Sequence, residues 1–124
     1  MSDGKSKMIL IAGPYRSGTG DDPKKMKNNL RRMEDIALKI FRAGHIPMIG
    51  EWIALPLLEV AGSQKVGDTL YDEIVYPAAH RLLRRCDGIF RIEGESKGAD
   101  EDVKLGLELN LPIYRNLDDI HKIS

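Results

Sequence analysis

The stretch that most restricts the fold is "MILIAGPYRSGTGDDP", residues 8 to 23. Met8 to Ala12 is an unbroken apolar run stopped by Gly13-Pro14. A strand with one face in water alternates apolar and polar side chains. A run without alternation is buried on both faces, and such strands belong to parallel sheets covered by helices. The residues that follow can supply one covering layer. Asp22 and Pro23 carry a helix-start signature, a carboxylate at the cap and a proline at the first helical position. Met26, Leu30, Met33, Ala37, Ile40 and Phe41 then recur at three- and four-residue spacing, which predicts an amphipathic helix stopping at Gly44.

The rest of the chain repeats this alternation. His45 to Ile49 reads as a second strand ending at Gly50. Residues 51 to 69 are a short helix or a packed loop, with "SQKVGD" as an exposed turn. Leu82, Leu83 and Cys86 mark the face of another helix whose regular part begins near Pro77 or kinks there. Gly88 to Ile92 is a third strand. Ala99 to Leu109 is a third long helix, with Ala99, Val103, Gly106 and Leu107 on one face. Leu111 to Tyr114 is a fourth strand, and "NLDDIHKIS" reads as a short terminal helix. No repeat, low-complexity block or linker divides the chain, so residues 1–124 are expected to form a single domain. The order β-α-β-(α)-α-β-α-β-α predicts an α/β Rossmann-like (flavodoxin-like) sandwich. Its parallel central sheet should have four to five strands flanked by helices.

Several classes of function are disfavoured. The formal net charge is zero, so no overall basic field draws in a nucleic-acid polymer. No run of about 18 apolar residues suggests a membrane span. The "MSDGKSK" start lacks the apolar core of a signal peptide. The single Cys86 excludes an internal disulfide framework and fits a cytoplasmic setting; it falls on an apolar face and is expected to be buried. No clustered histidine and cysteine ligands imply a metal, and no cofactor is expected.

In parallel sheets ligands bind beyond the carboxyl ends of the strands. Two glycine-containing loops follow strands here and should meet on that edge. In the first, Gly13 and Gly18 permit tight turns and close backbone approach. Arg16 offers a planar fork of donors to phosphate or carboxylate, and Ser17 adds a hydroxyl. The pattern is neither a Walker A loop nor G-x-G-x-x-G. In the second, Ser96-Lys97-Gly98 leads into a helix whose first turn should carry Asp100, Glu101 and Asp102. A helix N-terminus binds anions and keeps a carboxylate ionised, the state a glycosidic nucleophile requires. Glu51 and Trp52 follow the second strand, where the cleft should open. Trp52 can stack on a base or ribose, or serve the core or a dimer interface. Tyr71 and Tyr76 can reach the site or pack in the core. His80 is expected on the helix surface, and His45 and His121 show no partner pattern.

"ILIAGPYRSG", "AGHIP", "CDGIF" and "SKGADEDVKLGLELNLPIY" together resemble the nucleoside 2-deoxyribosyltransferase superfamily over Met8 to Tyr114. The "GPYRSG" turn is similar to the "GSIRGG" turn of its deoxynucleoside 5′-monophosphate N-glycosidase branch. That resemblance implies a monophosphate site made by Tyr15, Arg16, Ser17 and Gly18 with Ser96 and Gly98. The family's nucleophilic glutamate lies four residues after the motif glycine. Counted from Gly98 that position is Asp102, one methylene shorter, with Glu101 as its neighbour. The family's second acid lies about eight residues before the aspartate matched by Asp87. That position is Ala79, and Asp72 and Glu73 are the nearest upstream acids. Asp87 itself is expected to be structural. The resemblance implies a small-molecule nucleoside or nucleotide as partner, cleavage or transfer of its N-glycosidic bond, and a homo-oligomer, a dimer or larger. The rival readings are a non-catalytic nucleotide-binding or sensing module of the same fold, and a structural subunit using "EWIALPLLEV" as an interface.

Overall fold

The apolar run is sandwiched on both sides, as its pattern requires. The structure is a computed structural model describing residues 5–122. The first four residues of the polar N-terminal stretch and the last two of the predicted terminal helix lie outside the described residues. β1 (Met8–Ala12) occupies the middle of a four-stranded sheet, between β2 (Ile46–Ile49) and β3 (Gly88–Arg91), with β4 (Ile113–Tyr114) beyond β3. All three pairings are parallel; Leu10 lies between Met48 and Ile89.

Successive side chains of a strand point to opposite faces, and β1 feeds two cores accordingly. Ile9 and Ile11 join Met33, Ala37 and Ile40 of α1 (Pro23–Arg42). Leu10 and Ala12 join Leu83 of α3 (Thr69–Leu83), Cys86, and Ala99 of α4 (Lys97–Glu108). The remaining helix, α2 (Gly50–Ala61), follows β2 directly and packs mainly on α3. Leu10 is almost wholly buried; truncating such a leucine to alanine costs about 2–5 kcal/mol. α4 lies close to the sheet because Gly106 has no side chain: a Cβ there would stand 2.3 Å from Ile89 Cδ1.

The helix boundaries follow their caps. The Asp22 carboxylate accepts from the Lys24 N–H at 3.1 Å and starts α1 as expected. α1 ends at Arg42, with Gly44 just beyond at φ +98°. Asp68 accepts from the Tyr71 N–H at 2.8 Å and starts α3 at Thr69, eight residues before Pro77. The expected start near Pro77 is therefore corrected: the proline sits inside the helix and leaves the Glu73 carbonyl without its usual N–H partner. Residues 51 to 61, left open between helix and loop, are helical despite Pro56. The predicted terminal helix is only a 3₁₀ turn at Leu117–Asp119.

Two predicted core residues are exposed, Phe41 at 65% and Leu107 at 61%. Each follows a residue that faces the sheet, Ile40 and Gly106, and the next helical position is turned about 100° away. Asp87 is structural as expected. Its N–H donates to the Met8 carbonyl and its carboxylate accepts from the Met8 N–H, fastening β1 to the start of β3. His45 is buried; its Nδ1 accepts from the Lys7 N–H and its Nε2 lies 2.6 Å from the His121 carbonyl. This contact joins two histidines that showed no pairing in sequence.

Candidate functional site

The carboxyl ends of β1, β2 and β3 open into a cavity of about 340 Å³. The loop after β1 contributes Gly13, Tyr15, Arg16 and Ser17. The start of α2 contributes Gly50 and Glu51, and the start of α4 contributes Ser96, Lys97, Gly98 and Asp102. The two glycine-containing loops thus line one cavity. Its far wall is α3: Tyr71, Val75 and Ala79 recur at four-residue spacing, with Tyr76 beside them. That spacing was in the sequence, but it signals a wall only once Asp68 is known to start the helix.

Arg16 does not project freely. Its Nε donates to Asp21 Oδ1 at 2.7 Å and its Nη2 to Asp21 Oδ2 at 3.2 Å, and its guanidinium lies 5.4 Å from the centroid of the Tyr71 ring. Gly67 closes over the guanidinium; a Cβ there would meet Nη2 at 2.4 Å. Asp21 holds this position at φ +60°, a conformation unusual for a residue with a side chain. Gly18, at φ +75°, shapes the turn but does not line the cavity. Ser17 does line it. Ser96 is buried, and its Oγ accepts from the Ala99 N–H at 3.1 Å as the cap of α4; its own O–H remains available to donate.

Trp52 is turned away from the cavity. It is 37% exposed, and its Nε1–H donates to Glu34 of α1 at 2.9 Å. Glu51, one residue earlier on α2 and so rotated by about 100°, faces inward. Burial raises its pKa above the ordinary carboxylate value, opposed by the hydrogen bond from its own backbone N–H. The Tyr15 and Tyr71 hydroxyls are both raised by burial first and by Glu51 second, Tyr71 to about 12, so both remain neutral donors at working pH.

Asp102 lines the cavity and Glu101 does not. The expectation that the helix terminus keeps Asp102 ionised is corrected. Ser96 caps the helix, so α4 starts at Lys97, and only Asp100 falls in the first turn. Asp102 is the sixth helical residue, past the reach of the terminal partial charge. Burial pushes its carboxyl up to about 7; Glu51 and Glu101 add to the rise, and Arg91 opposes it. Asp100 has a different duty: its Oδ1 accepts from Nη2 of the buried Arg91 at 2.9 Å. Arg91 also donates to the carbonyls of Ile92 and Gly94, tying β3 to the loop that leads into α4.

His80 is partly exposed, as a surface helix residue would be, but one end of its ring turns inward. Its Nε2 is buried without a hydrogen-bond partner, and Asp102 Oδ1 lies 3.6 Å away. Asp72 and Glu73 are exposed and do not line the cavity, so neither stands in for a second acid. Glu51, from a different element, does line it. Among the described residues no group of three or more histidine, cysteine, aspartate or glutamate side chains could hold a metal, and no helix is long and apolar enough to cross a membrane.

The chain has a nucleoside 2-deoxyribosyltransferase-like fold, an α/β sandwich of the Rossmann-like kind. A solved structure of a 2-deoxyribosyltransferase from the psychrotolerant bacterium Bacillus psychrosaccharolyticus superposes with a TM-score of 0.61 at 16% identity, over 86% of this chain and 69% of that one. Neither the protein-family models nor the curated proteins contain a match to the chain.

Proposed function

We propose that the protein binds a nucleoside or its monophosphate and cleaves or transfers the N-glycosidic bond through Asp102. One observation carries this reading: two partly buried carboxyl groups from separate elements, Asp102 of α4 and Glu51 of α2, converge in a cavity at the carboxyl edge of the parallel sheet. Two carboxyls whose surroundings separate their roles are the equipment of a glycosyl-transferring site. The nucleoside deoxyribosyltransferase-like fold adds an analogy at the level of fold.

In the first step an ionised Asp102 oxygen bonds to the anomeric carbon. The carbon–nitrogen bond breaks with its electron pair going to the base, and the base takes a proton from the acid form of Glu51, a form that burial favours. The product is a glycosyl ester on Asp102 and a neutral base. Water, or the nitrogen of a second base, then attacks the anomeric carbon and frees the Asp102 carboxylate. The proton of the incoming nucleophile returns to Glu51. Tyr15 and Tyr71 offer hydroxyl donors to the sugar, and Arg16 with Ser17 and Ser96 offers donors to a 5′ substituent. Glu101 and Trp52 have no part in these steps.

The test is a panel of nucleosides and 5′-monophosphates incubated with the protein, with released base measured by chromatography. Release by the wild type and none by Asp102→Asn is the expected result. No release from any member of the panel, with ligand-induced thermal stabilisation retained, would favour the binding-module reading. That alternative draws on Asp102 itself, which is one methylene shorter than the glutamate of the resembling family. The exposed Leu57 and Val60 of α2 favour self-association through that helix, which sedimentation would reveal.

A further inference from the structure

The buried nitrogen of His80 is the largest unexplained polar feature of the described residues. Nε2 has no hydrogen-bond partner. A buried polar atom left unsatisfied is costly, so such an atom calls for a reason. Asp102 Oδ1 lies 3.6 Å away, just beyond hydrogen-bond distance. A small rotation of either side chain would close the gap.

The position of His80 is set by backbone packing. Ala79 packs against Gly50, where a Cβ would stand 3.3 Å from the Ala79 Cβ. This close approach of α2 and α3 brings the residues that follow, Glu51 and His80, towards the same carboxylate on α4. The groups that face Asp102 are Glu51 from α2, Glu101 from α4 itself, Arg91 from β3 and His80 from α3. Two are acids that oppose a charge on Asp102. Arg91 is a cation already engaged by Asp100. His80 is the remaining group that can carry a positive charge or donate a proton to Oδ1.

We propose that His80 is the positioning residue for Asp102: its Nε2–H turns the carboxylate towards the cavity, and the ring, when protonated, provides a countercharge that favours the ionised form. Histidine suits this work because its charge changes within the physiological range and its ring is a donor in either the neutral or the charged form. The inference rests on Asp102 as the nucleophile of the proposed reaction, but the pairing itself can be measured without any reaction.

The experiment is a carbon-13 NMR titration of aspartate carboxyls in the ligand-free protein, with the Asp102 signal assigned through Asp102→Asn. Wild type, His80→Gln and His80→Ala are compared. An opposite charge at this range lowers a carboxyl by about 1–3 pH units. The Asp102 midpoint should therefore rise by about one unit or more in His80→Ala, and by less in His80→Gln, which keeps a donor without the charge. Base release near pH 6 should fall by tenfold or more in His80→Ala, mainly in kcat, with partial recovery in His80→Gln. Should His80→Ala fail to fold, the near-isosteric His80→Gln carries the test. An Asp102 midpoint that is the same in every folded variant overturns the proposal, even if the wild type releases base. If the midpoint moves while the wild type releases no base, the pairing stands and the glycosidic reading falls.

Discussion

Replacing Asp102 by asparagine should make the protein more stable in alkaline solution. The ordinary aspartate value is 3.8, and in the fold the group is raised to about 7, with burial as the leading cause. Its folded carboxyl therefore holds a proton at pH values where the unfolded chain has lost it. The stability this contributes is whole below about pH 4 and is lost as pH rises through 7. Above that point the wild type carries a desolvated charge. At about 1.36 kcal/mol per pH unit, the raised value corresponds to roughly 4 kcal/mol. Relaxation and water around the charge would bring the expected difference to roughly 2–4 kcal/mol.

Asparagine has nearly the same shape and no charge, so it escapes this loss. Urea unfolding of both proteins from pH 4 to pH 9 measures it. The curves should run close together at pH 4 and diverge through pH 7, with Asp102→Asn the more stable by roughly 2–4 kcal/mol at pH 9. At this chain length that is on the order of 10 °C in Tm. A fixed offset between hydrogen-bonding patterns would shift the two curves in parallel, so the change in their separation is the diagnostic quantity. Parallel curves across the whole range would refute the claim that Asp102 is held in a charge-hostile cavity.

If the proposed mechanism operates, base release should rise with pH through about 7 as Asp102 ionises; a rate already maximal at pH 5 would contradict it. Arg16→Ala should weaken a 5′-monophosphate by about tenfold or more while changing the matching nucleoside little; calorimetry with both ligands decides, and equal weakening would remove the phosphate role. Asp21→Asn should release the Arg16 fork from its bidentate partner and tighten monophosphate binding several-fold, roughly the scale of losing one exposed ion pair; unchanged affinity would mean Asp21 does not compete with the ligand. Gly106→Ala should destabilise by about 1–2 kcal/mol, because its methyl would meet Ile89 and overpacking exceeds the helix-propensity gain; denaturant midpoints check this, and Ile89→Val should recover part of the loss.

The sheet was legible because burial on both faces leaves a strong mark. Met8–Ala12 is apolar without interruption, and Asp22-Pro23 announces the longest helix. The candidate site was legible where a loop follows a strand: Arg16, Ser96 and Gly98 were placed on one edge by topology alone. Its far wall was not. Tyr71 and His80 belong to a helix whose start is set by Asp68, a cap inside a stretch that reads as a turn, and Pro77 drew attention to the wrong boundary. Glu51 and Trp52 could not be told apart before the orientation of α2 was known. The Arg16–Asp21 pair depends on Asp21 taking a left-handed backbone conformation, which its residue type permits but does not announce.

The fate of Asp102 shows why position along a helix is a poor guide to charge. A carboxylate near a helix N-terminus gains about 0.3–1 kcal/mol, and up to about 2 in favourable buried geometry, with the effect fading beyond the first turn. Moving the start of α4 from Ala99 to Lys97 puts Asp102 in the second turn and removes most of that support. The opposing rise, with burial its leading cause, is larger, roughly 4 kcal/mol in all for a carboxyl brought to about 7. Desolvation therefore wins, and the neighbouring acids Glu51 and Glu101 reinforce it. A nucleophile in such a place needs a countercharge from outside its own helix. Arg91 is partly spent on Asp100, which leaves the α3 wall to supply it. In the proposed mechanism the parts divide by element: the β1 loop would hold the donors for a ligand's polar end, α2 would bring the proton donor, α4 the nucleophile, and α3 the group that sets its charge.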